Sequence, residues 1–138
     1  MADMVHFELV APERLLIAAE VDSVVVPGLE GDFGVLPGHA RVISTVRPGT
    51  VVVFRDGKPA ERIFVEGGFA EVTPEGCVVL AERATMIGEL ERSQVEAAIQ
   101  VAREILEEAK DDESLADAQR TLLIAEARLA ALDSTTYM

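Results

Sequence analysis

Near residue 85 the chain changes its chemistry, and that change limits what it can fold into. All ten glycines fall at or before Gly88, and all six prolines fall at or before Pro74. Sixteen valines precede residue 85, and only Val95 and Val101 follow it. Valine is stiff at χ1 and suits a pleated, half-buried strand, while glycine and proline supply turn conformations. A β domain over residues 1–86 is therefore expected to precede a helical domain over 87–138.

Within the first part, turn signals recur at Pro27-Gly28, Glu30-Gly31-Asp32, Pro37-Gly38, Pro48-Gly49, Asp56-Gly57, Gly67-Gly68 and Pro74-Glu75-Gly76. Their spacing, mostly about ten residues, is the rhythm of a sandwich or barrel of short strands. Val5, Phe7 and Leu9 alternate with His6, Glu8 and Val10, so His6 is expected to face outward. The runs Val51–Phe54, Ile63–Val65 and Cys77–Leu80 are denser. They imply burial on both faces, or an outer face covered by another element or a partner.

The second part has helical periodicity. Val95, Ala98, Ala102, Ile105 and Ala109 recur at spacings of three and four, as do Leu115, Ala118, Leu122, Ala125, Leu129 and Leu132. Lys110-Asp111-Asp112-Glu113-Ser114 between them reads as a short charged loop, with Ser114 as N-cap and Asp117 as a weak capping-box acid. So short a loop makes the helices antiparallel neighbours. A seam rich in alanine buries little, about 0.8 kcal/mol per methyl. The hairpin is therefore expected to be marginal.

The balance of 25 acidic against 12 basic residues, a net charge of −13, disfavours nucleic acid and anionic membrane surfaces as partners. No apolar run approaches the ~20 residues of a spanning helix, and Met1-Ala2-Asp3-Met4 carries no targeting pattern, so no direct membrane insertion is expected. The single cysteine, Cys77, excludes an internal disulfide and a multi-thiolate metal site, and is expected to be a buried thiol.

Catalytic patterns are missing. His6 and His39 lack metal-ligand spacing, and Ser23, Ser44 and Thr45 have no motif supplying a base. Gly28, Gly31 and Gly34 lead into Val35-Leu36-Pro37-Gly38 rather than a helix, so no helix N-terminus would receive a phosphate. Glu107, Glu108, Asp111, Asp112 and Glu113 lack the ligand pattern of a calcium loop. A noncatalytic chain that binds partners is the expectation, with no cofactor and no metal.

Glu30-Gly31-Asp32-Phe33-Gly34-Val35-Leu36-Pro37-Gly38-His39-Ala40 resembles the most recognisable stretch of the epsilon subunit of F-type ATP synthases. Phe7–Glu13, Arg47-Pro48-Gly49, Gly67–Val72 and Val79-Leu80-Ala81-Glu82 resemble further landmarks in the family order, and the likeness runs from about residue 5 to the end.

The resemblance implies a flattened β-sandwich of about ten strands followed by an antiparallel two-helix hairpin. It implies a rotor subunit that joins the gamma subunit to the membrane c-ring, peripheral to the cytoplasmic face of the bacterial inner membrane. The hairpin would regulate ATP hydrolysis by reaching acidic surfaces of the catalytic alpha/beta hexamer. Glu30, Asp32 and His39 would form the turn that meets the c-ring, and Arg92, Arg103, Arg120 and Arg128 are the hairpin cations available for regulation. Some members bind ATP through Ile/Leu-Asp-x-x-Arg-Ala; the matching stretch here, Leu90-Glu91-Arg92-Ser93-Gln94-Val95, lacks its Asp, Arg and Ala. The remaining readings are a generic two-part interaction module and a small β-barrel enzyme or ligand-binding protein. Co-purification with a membrane ATPase would single out the first reading, and a deep polar pocket in the β domain the last.

Overall fold

The computed structural model describes residues 3–134. Residues 135–138 of the expected hairpin domain, and Met1 and Ala2, lie outside the described residues. Two compact units divide between Met86 and Ile87.

The first unit contains strands β1 (Val5–Ala11), β2 (Arg14–Val21), β3 (Ser23–Gly28), β4 (Gly31–Val35), β5 (Val42–Val46), β6 (Gly49–Arg55), β7 (Lys58–Val65), β8 (Gly68–Val72), β9 (Gly76–Ala81) and β10 (Ala84–Met86). They form one ten-stranded sheet in the order β10-β7-β6-β3-β5-β8-β9-β1-β2, with β4 paired to β3 beside that path. Only β1 and β9 pair in parallel. The sheet curls until β1 and β2 lie against β3 and β6, to which they are not hydrogen-bonded. One apolar interior results, the sandwich expected from the resemblance.

Alternation sets which side chains fill it. Val5, Phe7 and Leu9 are at most 1% exposed, while His6 and Glu8 face outward. Each large side chain so buried contributes about 1.5–3 kcal/mol relative to exposure. The dense runs divide into two cases. Val51–Val53 and Ile63–Val65 are buried without interruption, whereas in β9 Val79 is buried and Leu80 is 53% exposed. Where β8 enters the sheet, Gly68 has φ +138°, and a Cβ there would lie 1.9 Å from the Leu80 carbonyl oxygen. No other residue fits that approach.

The second unit comprises a 3₁₀ turn (Ile87–Glu89), α1 (Arg92–Glu108) and α2 (Asp112–Asp133). Arg92, which opens α1, is ion-paired with Asp133, which ends α2, as antiparallel helices require. The seam of α1 differs from the expected stripe. Val95, Ile99 and Ala102 are buried and Leu106 is half-buried, while Ala98 is exposed and Ile105 is 51% exposed. Both stripes satisfy helical spacing and share Val95, Ala102 and Ala109. The seam follows the one carrying the larger Ile99 and Leu106. On α2 the expected stripe holds from Ala118 to Leu132, but Leu115 is exposed.

The cap of α2 is also corrected. Asp111, not Ser114, is the N-cap: its carboxylate accepts from the Ser114 N–H at 2.7 Å and from the Ser114 hydroxyl at 3.0 Å. Ser114 lies inside the first turn, and the expected loop shrinks to residues 109–111. Asp117 caps nothing; its backbone carbonyl accepts from the Thr121 hydroxyl within the helix. A carboxylate at the N-cap satisfies orphan amides and meets the positive end of the helix dipole, which favours Asp over Ser here.

Candidate partner-binding surfaces

The first surface is the two-residue turn Leu29-Glu30 between β3 and β4, closed by the Gly28–Gly31 pair. Leu29 is 66% exposed, and Glu30 is exposed with no ion pair among the described residues. Asp32, one step into β4, is occupied. Arg47, just beyond β5, donates one guanidinium nitrogen to Asp32 Oδ1 and another to the Gly28 carbonyl, both at 2.6 Å. The Arg47 N–H adds a bond to the Pro27 carbonyl at 2.9 Å, and the Leu29 N–H one to the Thr45 carbonyl at 3.0 Å. The turn is therefore strapped to the end of β5.

His39 does not share this turn. Asp32 lies within β4 and His39 beyond its end, so the expectation of one loop carrying both is corrected. His39 closes a second turn, Leu36-Pro37-Gly38-His39, where its N–H donates to the Leu36 carbonyl at 3.2 Å. Pro37 supplies its preferred φ, and Gly38 takes the φ of +79° that a type II turn demands at its third position. The Gly38 N–H bonds the Pro74 carbonyl at 3.1 Å, fastening this turn to the β8–β9 connection. The His39 ring donates Nδ1–H to the Ala40 carbonyl at 2.7 Å, which leaves Nε2 as an acceptor in the neutral form.

A third surface lies on the outer face of the sheet. Register partners run in one row across five strands: Thr45 with Phe69, Phe69 with Leu80, Leu80 with Val10, and Val10 with Leu15. Phe69, Leu80 and Leu15 are 58%, 53% and 56% exposed, and Ile43 beside the row is 78% exposed. Side chains paired in register share a face, so these form one apolar band. Contiguous exposed apolar surface of this kind marks a binding face. The density of Cys77–Leu80 had left open an outer face covered by a partner, but sequence reasoning did not place Phe69, Val10 and Leu15 on the same row, because that takes the register. At one edge His6 hydrogen-bonds Glu20 at 2.8 Å and stands 3.5 Å from Glu8; first the Glu20 bond, then the two carboxylate charges, raise its pKa above 6.5.

The four hairpin arginines are not brought together as one site. Arg92 pairs with Asp133 and stands 3.7 Å from Glu96. Arg103 is exposed with no ion pair among the described residues, Arg120 is exposed on α2, and Arg128 is half-buried.

None of these surfaces assembles catalytic chemistry. Among the described residues no polar or charged side chain is buried, and no His/Cys/Asp/Glu group has metal-binding geometry. Cys77 is a core thiol, its pKa pushed up to about 12 by burial, so it is not a nucleophile. Among the described residues no helix is long and apolar enough to cross a membrane.

Comparison with known proteins agrees with this architecture. Residues 4–87 match the family described as the ATP synthase delta/epsilon chain, beta-sandwich domain. The chain is 50% identical over 132 residues to the ATP synthase epsilon chain of Paramagnetospirillum magneticum, covering 96% of this chain and 99% of that one. It is also 50% identical over 131 residues to the epsilon chain of Rhodospirillum rubrum, covering 95% and 98%. Among solved structures, a chain of the Euglena gracilis mitochondrial ATP synthase, OSCP/F1/c-ring, superposes with a TM-score of 0.83 at 24% identity, over 94% of this chain and 81% of that one. A chain from the Tetrahymena thermophila mitochondrial ATP synthase central stalk and c-ring gives 0.71 at 10% identity, over 96% and 97%. With the fold shared and the sequence half identical over nearly its whole length, the chain belongs to the ATP synthase epsilon chain family, the noncatalytic stalk subunit of that enzyme.

Proposed function

We propose that the chain is a rotor subunit that couples a c-ring to the gamma subunit on the cytoplasmic face of a bacterial inner membrane. The apolar row Phe69, Leu80, Val10 and Leu15 carries this reading. So much exposed apolar surface on a sheet calls for a permanent partner, and in this assembly gamma is that partner. The Leu29-Glu30 turn is the foot toward the polar loops of the ring. A foot built there leaves His39 away from the ring contact by the length of β4, about 13 Å at ~3.3 Å per residue. His39 therefore belongs to a separate contact.

The hairpin is the regulatory element, and its thin seam suits a part that must open. Nucleotide plays no part in this reading: Gln94 lacks the charge a phosphate needs, and Arg92 is engaged by Asp133. Titration calorimetry of the chain with ATP is expected to give no sub-millimolar binding.

The test of the central reading is Phe69→Asp in the assembled enzyme. A carboxylate in the middle of the row is expected to cut recovery of the chain with gamma at least tenfold, while thermal unfolding of the free chain stays unchanged. Undiminished recovery would overturn the docking face.

A further inference from the structure

We infer that Arg47 is the positioning residue of the foot, and that the carboxylate the foot offers to a basic side chain on the ring is Glu30 rather than Asp32. The inference rests on the docking reading above and identifies the chemistry of that contact.

Two carboxylates stand at this end of the sheet, and they are not equivalent. Asp32 accepts a 2.6 Å bond from a guanidinium that is itself tied to the Gly28 carbonyl, so its charge is already met within the chain. Glu30 occupies the second tip position, exposed, with no ion pair among the described residues. A partner cation approaching the tip meets the Glu30 carboxylate without breaking an existing bond, whereas at Asp32 it must compete with Arg47. Arg47 does two things through one planar group. It neutralises Asp32, which keeps the two acids from repelling each other, and it holds the Gly28 carbonyl so that the turn projects in one direction. Lysine is a single point charge and cannot hold both oxygens in that fork. The exposed Leu29 beside Glu30 gives the contact an apolar flank.

The experiment uses the complete ATP synthase carrying Leu29→Cys as the cross-linking reporter to the ring, and every yield is compared with that of this same background. In that background Glu30→Gln is expected to lower cross-link yield about fivefold or more, and Asp32→Asn, whose amide oxygen still accepts from Arg47, to leave it within twofold. Arg47→Gln should lower the yield about as much as Glu30→Gln, and Arg47→Lys should not restore it. Adding Asp32→Asn to Arg47→Gln should cause no further loss, because Asp32 serves the foot only through Arg47. In the free chain, Arg47→Gln should speed amide exchange at Leu29 and Gly31 while Glu30→Gln should not, which separates positioning from charge. A yield that Asp32→Asn lowers as much as Glu30→Gln, or that Arg47→Gln leaves intact, would overturn the assignment while sparing the docking reading. No cross-link from the otherwise unchanged reporter chain would sink both.

Discussion

The β unit and the hairpin differ first in what fills their interiors. The β core draws together seventeen buried residues, among them Phe7, Leu9 and Ile63, contributed by strands far apart in sequence. Among its described residues the hairpin buries six, Val95, Ile99, Ala102, Ala118, Ile124 and Ala125, of which only Val95, Ile99 and Ala125 form one cluster, flanked by the partly buried Leu90, Leu122, Leu129 and Leu132. Hydrophobic stabilisation scales with buried apolar area, so the two units stand far apart in the cost of opening them. The β unit is built to keep one shape while surfaces on its outside meet partners. The smaller buried cluster leaves the hairpin with the lower cost of opening.

The strongest way to break this comparison is to damage the larger core. Phe7→Ala removes a side chain with no exposure and is expected to destabilise the β unit by about 3–5 kcal/mol. Hydrogen exchange of the full chain should show that loss in the strands of the curled sheet, with protection in α1 and α2 little changed. Equal loss in both units would mean that they unfold as one, and the contrast would collapse.

The hairpin counterpart sharpens the contrast and tests the seam. Ile99, 6% exposed, and Ile105, 51% exposed, are chemically identical residues on one helix. Ile99→Ala should cost the hairpin about 2 kcal/mol, and Ile105→Ala within about 0.5 kcal/mol. Helix content followed by circular dichroism through thermal unfolding is the readout. A larger effect at Ile105 would restore the stripe that the spacing alone suggested.

That pair also shows how far the sequence could be read. The β-to-α change was legible because valine, glycine and proline carry backbone preferences that need no tertiary context. The seam of α1 was not, because Ala98 with Ile105 and Ile99 with Leu106 fit the same period, and only the facing helix decides between them. Asp32 and His39 looked like one turn because Gly31, Gly34, Pro37 and Gly38 crowd the stretch, yet five of its residues pair with β3 as β4. Glu30, Asp32 and His39 were singled out through a resemblance. Arg47 was noted only as part of the Arg47-Pro48-Gly49 landmark, and its role was not legible, since its bonds to Gly28 and Asp32 cross gaps of 19 and 15 residues. The exposed row was legible only in part: the dense run Cys77–Leu80 allowed an outer face covered by a partner, but which residues of the neighbouring strands join Leu80 on that face depends on register.

Removing residues 87–138 is expected to have a smaller effect on assembly than either core substitution has on folding. The β unit should fold, join the stalk and support proton coupling, and ATP hydrolysis should rise no more than about threefold. From residue 87 on, five basic residues face twelve acidic ones, a net of −7. A brake that must lie against acidic catalytic surfaces is opposed by that charge, the more so at low ionic strength where screening is weakest. Hydrolysis by full-length and truncated complexes across salt concentration is the measurement. Activation on truncation should shrink as salt falls; activation that grows instead, or loss of assembly, would contradict this division of labour.

The smallest effects come from two exposed titrations of opposite sign, one in each unit. In the hairpin, the Ser114 N–H and then its hydroxyl hold the Asp111 carboxyl below its ordinary value of 3.8. A depressed folded pKa means that the cap stabilises α2 fully above the unfolded value and loses that contribution as pH falls through the folded one. In the β unit, His6 is held above 6.5, first by its bond to Glu20. A raised folded pKa means that this contribution is complete below 6.5 and disappears as pH rises through the folded value. Acidification from neutrality should therefore slightly strengthen the sheet edge at β1 and β2 before it weakens the start of α2. Asp111→Asn keeps an N-cap acceptor and removes the charge, so it should abolish the acid loss of hairpin helicity below about pH 4 without unfolding the helix at neutral pH. His6→Gln should flatten the gentler change near neutrality and leave the acid step untouched. Per-residue exchange rates across that range distinguish the two, and one shared transition would show that the units titrate together.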